Sequence, residues 1–398
     1  MLSIRDPVHG FIRADALEAA LIASRPLQRL RFIHQLGLTF LVFPGAEHSR
    51  FSHALGAMHL AGRLYDALCA KGDGLLPAGE RSVERRLARA AALLHDLGHA
   101  PFSHSAEEMF EGAIDHEQMT RRLILGPEVA AIFAAHGDGI TPADVARLLA
   151  GVGGDPIEHL LAQIISGELD VDKMDYLLRD GLFCGVRYGS YDLERLLDTV
   201  MPLADPLAGG WGIGVDEGGV HALEALVMAR YYMFTQVYFN VTGKVLELHL
   251  SQWLTENRRH WSGELEGFLA ADDVSVWSDM RRSDSLHARA VVLREHFPVA
   301  FETREHLSPD EKERFEALLP ELVARFGAGN LLISNSAKDP HRLRTSRVLV
   351  RRHDGSLEPM EQASQFIRHL SRIDRYRVYS SPPLHAAVTA TLRALWPA

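Results

Sequence analysis

The sequence predicts a mainly α protein, with a large helical core and a smaller C-terminal α+β region. Apolar residues recur at about 3.6-residue spacing from Asp15 to about Leu250. Alternation of the strand type is scarce over that stretch. After about Pro298 the texture changes, with short β-like runs at Leu331-Leu332-Ile333, Arg347-Val348-Leu349-Val350 and Arg375 to Tyr379. The expected division is therefore 1–298 for the helical core and 299–398 for the α+β region.

Within the core, Ala54 to Ala70 and Glu84 to Leu97 read as amphipathic helices, as do Ile157 to Ile165 and Lys173 to Arg179. His221 to Leu254 reads as one long helix: it contains no Pro, and its internal Gly243 costs only about 1 kcal/mol. Turn signals fall at Phe43-Pro44-Gly45, Leu76-Pro77-Ala78-Gly79 and Gly151-Val152-Gly153-Gly154. Leu203 to Gly219, with several Gly and Pro, reads as a loop or a short hairpin.

Composition narrows the function classes. Hydrophobic residues at 47% and charged residues at 24% are the ordinary balance of a globular enzyme. A net charge of -10 argues against a general nucleic-acid binder, which carries a basic face, but leaves room for a nucleotide held by a few cations and a metal. Two cysteines, Cys69 and Cys184, exclude a disulfide framework and count against a cysteine zinc site. No apolar run reaches the roughly 20 residues that span a bilayer, and Met1 to Asp6 lacks a signal-peptide core. The expectation is a cytoplasmic chain with no membrane contact. The 21 histidines are about twice ordinary usage, and several cluster between His48 and His116.

That cluster points to a metal. Ala91-Ala92-Leu93-Leu94-His95-Asp96-Leu97-Gly98-His99 delivers an adjacent His and Asp at the end of an apolar helix. Imidazole with carboxylate suits Mn, Fe, Zn, Co or Ni, whereas Mg favours a site richer in oxygen. Upstream, Arg50 and His53 of Glu47-His48-Ser49-Arg50-Phe51-Ser52-His53 share a helix face. Downstream, Asp172, Asp175, Tyr176 and Arg179 share one face, and Lys173, Tyr176 and Asp180 an adjoining one. Charges at this density are costly to bury unless a metal or an ionic ligand pairs them.

The order His53, His95-Asp96, Asp172 resembles the H…HD…D signature of the HD phosphohydrolases. Asp6-Pro7-Val8-His9-Gly10, Gln28-Arg29-Leu30-Arg31, Gln35-Leu36-Gly37, Phe43-Pro44-Gly45-Ala46 and His95 through His104 resemble more narrowly the HD domain of the deoxynucleoside triphosphate (dNTP) triphosphohydrolases of vertebrates and bacteria. The likeness is dense from about Ile4 to Leu250. It implies His53, His95, Asp96 and Asp172 as ligands of a divalent ion, whether Mn, Fe, Mg, Co, Ni or Zn. It implies Arg50, Lys173, Arg230 and His99 at the phosphates, His104 and His116 as catalytic histidines, and Glu107 orienting His104. Gln35, Leu36, Tyr176, Asp180 and Tyr238 fall where the family recognises sugar and base.

The implied reaction is removal of intact triphosphate from a dNTP by a homo-oligomer, tetramer or dimer. Alternatives are an HD phosphatase or phosphodiesterase acting on monophosphates, cyclic nucleotides or nucleotide analogues, and a nucleotide sensor without turnover. The vertebrate guanine-nucleotide activator site is not matched. Ala23, Leu2 and Asn240-Val241 stand at its positions, and Arg31 alone is retained.

Overall fold

The computed structural model describes residues 2–80, 82–103, 109–111, 114–151, 155–205, 210–339, 341 and 348–396. The chain forms two compact units built from alternating segments. The first comprises Met1–Met233, Trp261–Asp273 and His341–His369; the second comprises Phe234–His260, Val274–Pro340 and Leu370–Ala398. The sequence reading expected one boundary at 298/299, whereas the chain crosses between units several times. Pairing is the reason: strand Leu349–Arg351 runs parallel to Gly210–Asp216, with Val350 opposite Val215, which draws 341–369 into the first unit.

The first unit opens with a hairpin, Leu2–Asp6 against Gly10–Ala14, which the helical pattern gave no reason to expect. Asp6 Oδ1 accepts the Val8 and His9 amides, both at 2.9 Å, and Gly10 takes the left-handed φ of 76° that closes the turn. The centre of the unit is the helix Arg50–Lys71. It buries Leu55, Met58, Leu64 and Leu68, and packs along Val83–Leu94 and Val171–Cys184. The expected helix Glu84 to Leu97 is Val83–Leu94, and its chain turns at His95 rather than continuing. Pro156–Ile165 and Val171–Cys184 contain the other two expected helices. The segment Leu203 to Gly219 contains most of an antiparallel hairpin, Val200–Asp205 with Gly210–Asp216.

The long helix expected over His221 to Leu254 is two helices, Val220–Met233 and Val241–Glu256, separated by a π-helical turn Phe234–Tyr238. Asn240 explains the restart, since its side chain accepts the Thr242 and Gly243 amides and caps a new N-terminus. Asn240 was the available signal, set inside an otherwise unbroken apolar periodicity.

The second unit is a three-stranded antiparallel sheet with helices. Ile373–Ser380 lies between Val299–Glu302 and Leu331–Lys338, over a core of Phe315, Leu322, Val378, Val388 and Leu392. Tyr238 belongs to this unit, its ring edge-on to Phe234 at 5.0 Å between centroids. Beneath the sheet, His249 Nε2 accepts the Phe297 amide at 3.2 Å, so its proton resides on Nδ1 and is donated to His287 Nδ1 at 2.8 Å. Burial first, then the neighbouring His287 and His296, lowers the His249 pKa to about 3. His249 is therefore neutral when folded. Stability attributable to it is complete above its ordinary value of 6.5 and is lost as pH falls toward 3, because the unfolded chain binds the proton first. Denaturant melts from pH 7 to pH 4 are expected to show this acid slope, and a folded H249Q variant should flatten it. An equally steep slope in that variant would count against the assignment.

Candidate metal centre

Three local features of the first unit bring the site residues together. Ser49 is extended and the helix begins at Arg50, so Arg50 and His53 stand one above the other on its first turn. His95 caps the helix Val83–Leu94, and the chain then turns through Asp96 to Gly98. A Cβ at Gly98 would overlap the His116 carbonyl and the Thr120 amide, so glycine is what lets the helix His116–Ile124 close on this turn. Thr120 Oγ1 fastens it, accepting the Gly98 amide at 2.9 Å and donating to the His95 carbonyl at 3.2 Å. Asp170 caps the helix Val171–Cys184 by accepting the Lys173 amide, which sets Asp172 on its first turn.

His53, His95 and Asp172 each direct a donor atom to one place, and these atoms lie within 4.8 Å of one another. The two Nε2 atoms are 3.3 Å apart, and Asp172 Oδ1 lies 3.0 Å from His53 Nε2 and 3.7 Å from His95 Nε2. Each ring is held from behind. The Ala92 carbonyl can only accept, so His95 Nδ1 carries the proton of their 2.8 Å bond and its Nε2 lone pair faces inward. His53 Nδ1 likewise faces the Asp175 carboxylate at 2.8 Å. Asp96 adjoins the same rings, its oxygens 3.3 Å from His95 Nε2 and 3.9 Å from His53 Nε2, but it is also bound by Arg50 Nη1 at 2.6 Å and His99 Nε2 at 3.2 Å. Among the described residues the tight donor set is thus three of the four expected ligands, with Asp96 alongside.

The electrostatics favour a cation here. Burial alone would lower the His53 pKa, yet hydrogen bonds to Asp172 and Asp175 and their charges outweigh it and raise it to about 10. His95 is raised in the same way: Asp96 and Asp172 overcome its burial. Burial would raise Asp172, but the two histidines hold it below the usual carboxylate range. Two facing imidazole nitrogens beside carboxylates repel one another unless positive charge lies between them. Two imidazoles with one or two carboxylates are a donor set that a borderline divalent ion accepts. His99 is the opposite case, since burial and the Arg50 charge hold it neutral.

The other expected residues are distributed as follows. Arg50 is buried and also donates from Nε to Ser103 Oγ at 2.8 Å. Lys173 Nζ reaches the Asp170 carboxylate and the Gly167 carbonyl. Arg230 is buried on the helix Val220–Met233 with Nη1 4.0 Å from Glu168. Its charge opposes the burial that raises the Tyr176 phenol. The His116 ring stacks on His99, with centroids 4.4 Å apart. Asp180 is buried against His48 Nε2 at 2.8 Å, and His48 stacks on Phe183. The Gln35 amide donates to the His48 carbonyl at 3.0 Å, and its buried Oε1 has no hydrogen-bond partner among the described residues. Leu36 is half-buried beside it. His104 and Glu107 lie outside the described residues. The sequence assigned no contacts to His48, Asp6 or His9, although His48 opens the histidine cluster and Asp6 and His9 lie in the first matching motif.

The HD domain family matches residues 50–180 and the HD associated region matches 192–297. The solved structure of a hypothetical protein from Aquifex aeolicus is 31% identical, with a TM-score of 0.83 over 98% of this chain and 99% of its own. The uncharacterized protein YwfO of Bacillus subtilis (strain 168) is 43% identical over 252 residues, 63% of this chain and 54% of that protein. Human deoxynucleoside triphosphate triphosphohydrolase SAMHD1 is 34% identical over 227 residues, 50% of this chain and 35% of that protein. The chain spans about half the length, or less, of these curated relatives. The chain belongs to the HD domain family, with the HD associated region following the HD domain. No helix among the described residues is long and apolar enough to cross a membrane.

Asp172 is the most accessible of the three donors, its side chain 38% exposed, so its replacement should spare the fold. Asp172→Ala is expected to lose bound divalent metal, measured by atomic emission after dialysis, while its thermal midpoint stays within a few degrees of the parent. Normal metal content in the folded variant would remove Asp172 from the ligand set. Gly98→Ala is expected to destabilise the protein by about 3 kcal/mol or more in denaturant melts, because backbone atoms occupy the added methyl's place.

Proposed function

We propose that this protein hydrolyses dNTPs to the deoxynucleoside and tripolyphosphate at the His53–His95–Asp172 centre. The observation that carries the reading is the convergence of two imidazole Nε2 atoms and a carboxylate beside the buried Arg50 guanidinium. The substrate class is supported by relatives such as SAMHD1, whose name states dNTP triphosphohydrolysis. A divalent ion held by His53, His95, Asp172 and the adjoining Asp96 would supply electrophilic polarisation of the α-phosphate.

The protein's own groups do the rest. Arg50 and Arg230 offer planar forks of donors to phosphate oxygens, and Lys173 a point charge. Taken out of bulk water, these charges stabilise a building negative charge more strongly than exposed ones do. The Pα–O5′ bond breaks as an oxygen from water joins phosphorus, and the departing 5′-oxygen takes up a proton. His104, oriented by Glu107, is assigned as that proton's donor on the family resemblance, with the His99–His116 stack bordering the phosphates. Gln35, with its buried Oε1 still able to accept, and Asp180, braced by His48, would bind the 3′-hydroxyl. Leu36 and Tyr176 are assigned to the sugar and base.

Incubation with the four dNTPs and four NTPs, with Mn, Mg, Fe or Co present, tests this by ion-exchange separation of products. The expected outcome is tripolyphosphate and a deoxynucleoside, from dNTPs in preference to NTPs. Orthophosphate or a linear monophosphate as the product would favour the phosphatase or phosphodiesterase reading, and bound but intact nucleotide the sensor reading.

A further inference from the structure

We propose that the buried Asp175 carboxylate is the positioning residue of the metal centre, and that the N-terminal hairpin, through Asp6 and His9, sets it in place. The inference rests on reading the His53–His95–Asp172 cluster as a metal centre. It concerns residues that the centre's donor set does not include, two of which precede the family match at 50–180.

Asp175 follows Asp172 by one helical turn and is fully buried. Its oxygens are saturated. Oδ2 accepts from His53 Nδ1 and Arg179 Nε, both at 2.8 Å; Oδ1 accepts from His9 Nε2 at 2.7 Å and Arg179 Nη2 at 2.9 Å. A carboxylate offers about four lone-pair sites, so this one has no freedom to turn. Because it accepts, His53 must carry a proton on Nδ1, which leaves Nε2 as the nitrogen directed at His95 and Asp172. Metal ligation through Nε2 requires that tautomer and that ring orientation.

The anchor continues outward. Arg179 Nη1 and Nη2 reach Asp6 Oδ2 and Oδ1 at 2.8 and 3.3 Å, and Asp6 is held by the amides of its own turn. One line of hydrogen bonds thus runs from the hairpin turn through Asp6, Arg179 and Asp175 to the His53 ring, and His9 joins it at Asp175. Gly56, one turn beyond His53, makes the approach possible: a Cβ there would overlap Asp175 Oδ1 and Arg179 Nη2. Packed apolar side chains of similar volume would serve stability as well or better than a buried Asp–Arg–Asp chain. What the charged chain adds is a fixed proton on one histidine nitrogen.

Equilibrium dialysis with Mn²⁺, together with ¹⁵N-histidine NMR of the intact chain, tests the proposal. Asp175→Asn keeps the volume and removes the charge. The folded variant is expected to bind Mn²⁺ about 10- to 100-fold more weakly, with the ¹⁵N shift of His53 Nδ1 moved from its wild-type value in the metal-free spectrum. Wild-type affinity with an unchanged His53 Nδ1 shift in D175N overturns the proposal. If D175N does not fold, by circular dichroism, His9→Leu decides on the same readouts: weaker binding by the folded protein supports the role, and wild-type affinity overturns it. A wild-type chain that binds no divalent ion would instead sink the metal reading beneath both proposals, so the two failures are told apart.

Discussion

Two imidazole nitrogens held 3.3 Å apart, with a carboxylate against both, are the constraint on which the rest of the first unit depends. Such a pair separates unless each ring is tied from behind and positive charge is welcome in front. The ties are the Ala92 carbonyl for His95 and Asp175 for His53. Three helices from distant stretches of chain, Arg50–Lys71, Val83–Leu94 and Val171–Cys184, must therefore meet at their ends in one arrangement. Two glycines allow that meeting: Gly56 where a carboxylate passes the helix, and Gly98 where the helix His116–Ile124 passes the turn.

This arrangement sets function against stability. The core of the first unit encloses Asp6, Arg50, His53, Asp96, Asp175, Arg179 and Asp180, all essentially out of solvent. Buried charges of this kind persist because each is paired and hydrogen-bonded, and removing one partner strands the other. The surrounding apolar framework of Leu55, Met58, Leu93, Leu94, Met174 and Leu177 supplies the burial that offsets their desolvation. The second unit has an ionic chain on its sheet, in which Arg377 and Arg375 both pair with Glu302 and Arg375 also pairs with Glu305. It also buries the neutral His249–His287 pair, in which burial has removed the charge.

Much of this was legible in the residues. Helical periodicity located Arg50–Lys71, Val83–Leu94, Pro156–Ile165 and Val171–Cys184 to within a few residues, although Leu87 to Leu94 and His53 to Met58 are buried on every side rather than along one face. The rhythm did not reveal the break at Phe234–Tyr238, since a π-helical turn followed by an Asn cap leaves apolar spacing almost undisturbed. It also did not reveal the first hairpin, whose strands are five residues each and whose signal is one Asp-Pro-Val-His-Gly turn. The Leu349–Arg351 strand was visible as a strand, but its partner was not, because strand pairing is decided by which edge is free.

By itself the sequence determined the chemistry: which side chains can ligate an ion, which can meet a phosphate, and which stretches become helices, since these follow from residue type and near-neighbour spacing. Only the tertiary structure decided which nitrogen of each histidine faces inward, that Asp96 is shared with Arg50 and His99, and that Asp175 takes four hydrogen bonds from His53, His9 and Arg179. These are contacts between residues up to 173 positions apart, as with Asp6 and Arg179. Their geometry comes from how helices pack, a property that no local run of residues encodes.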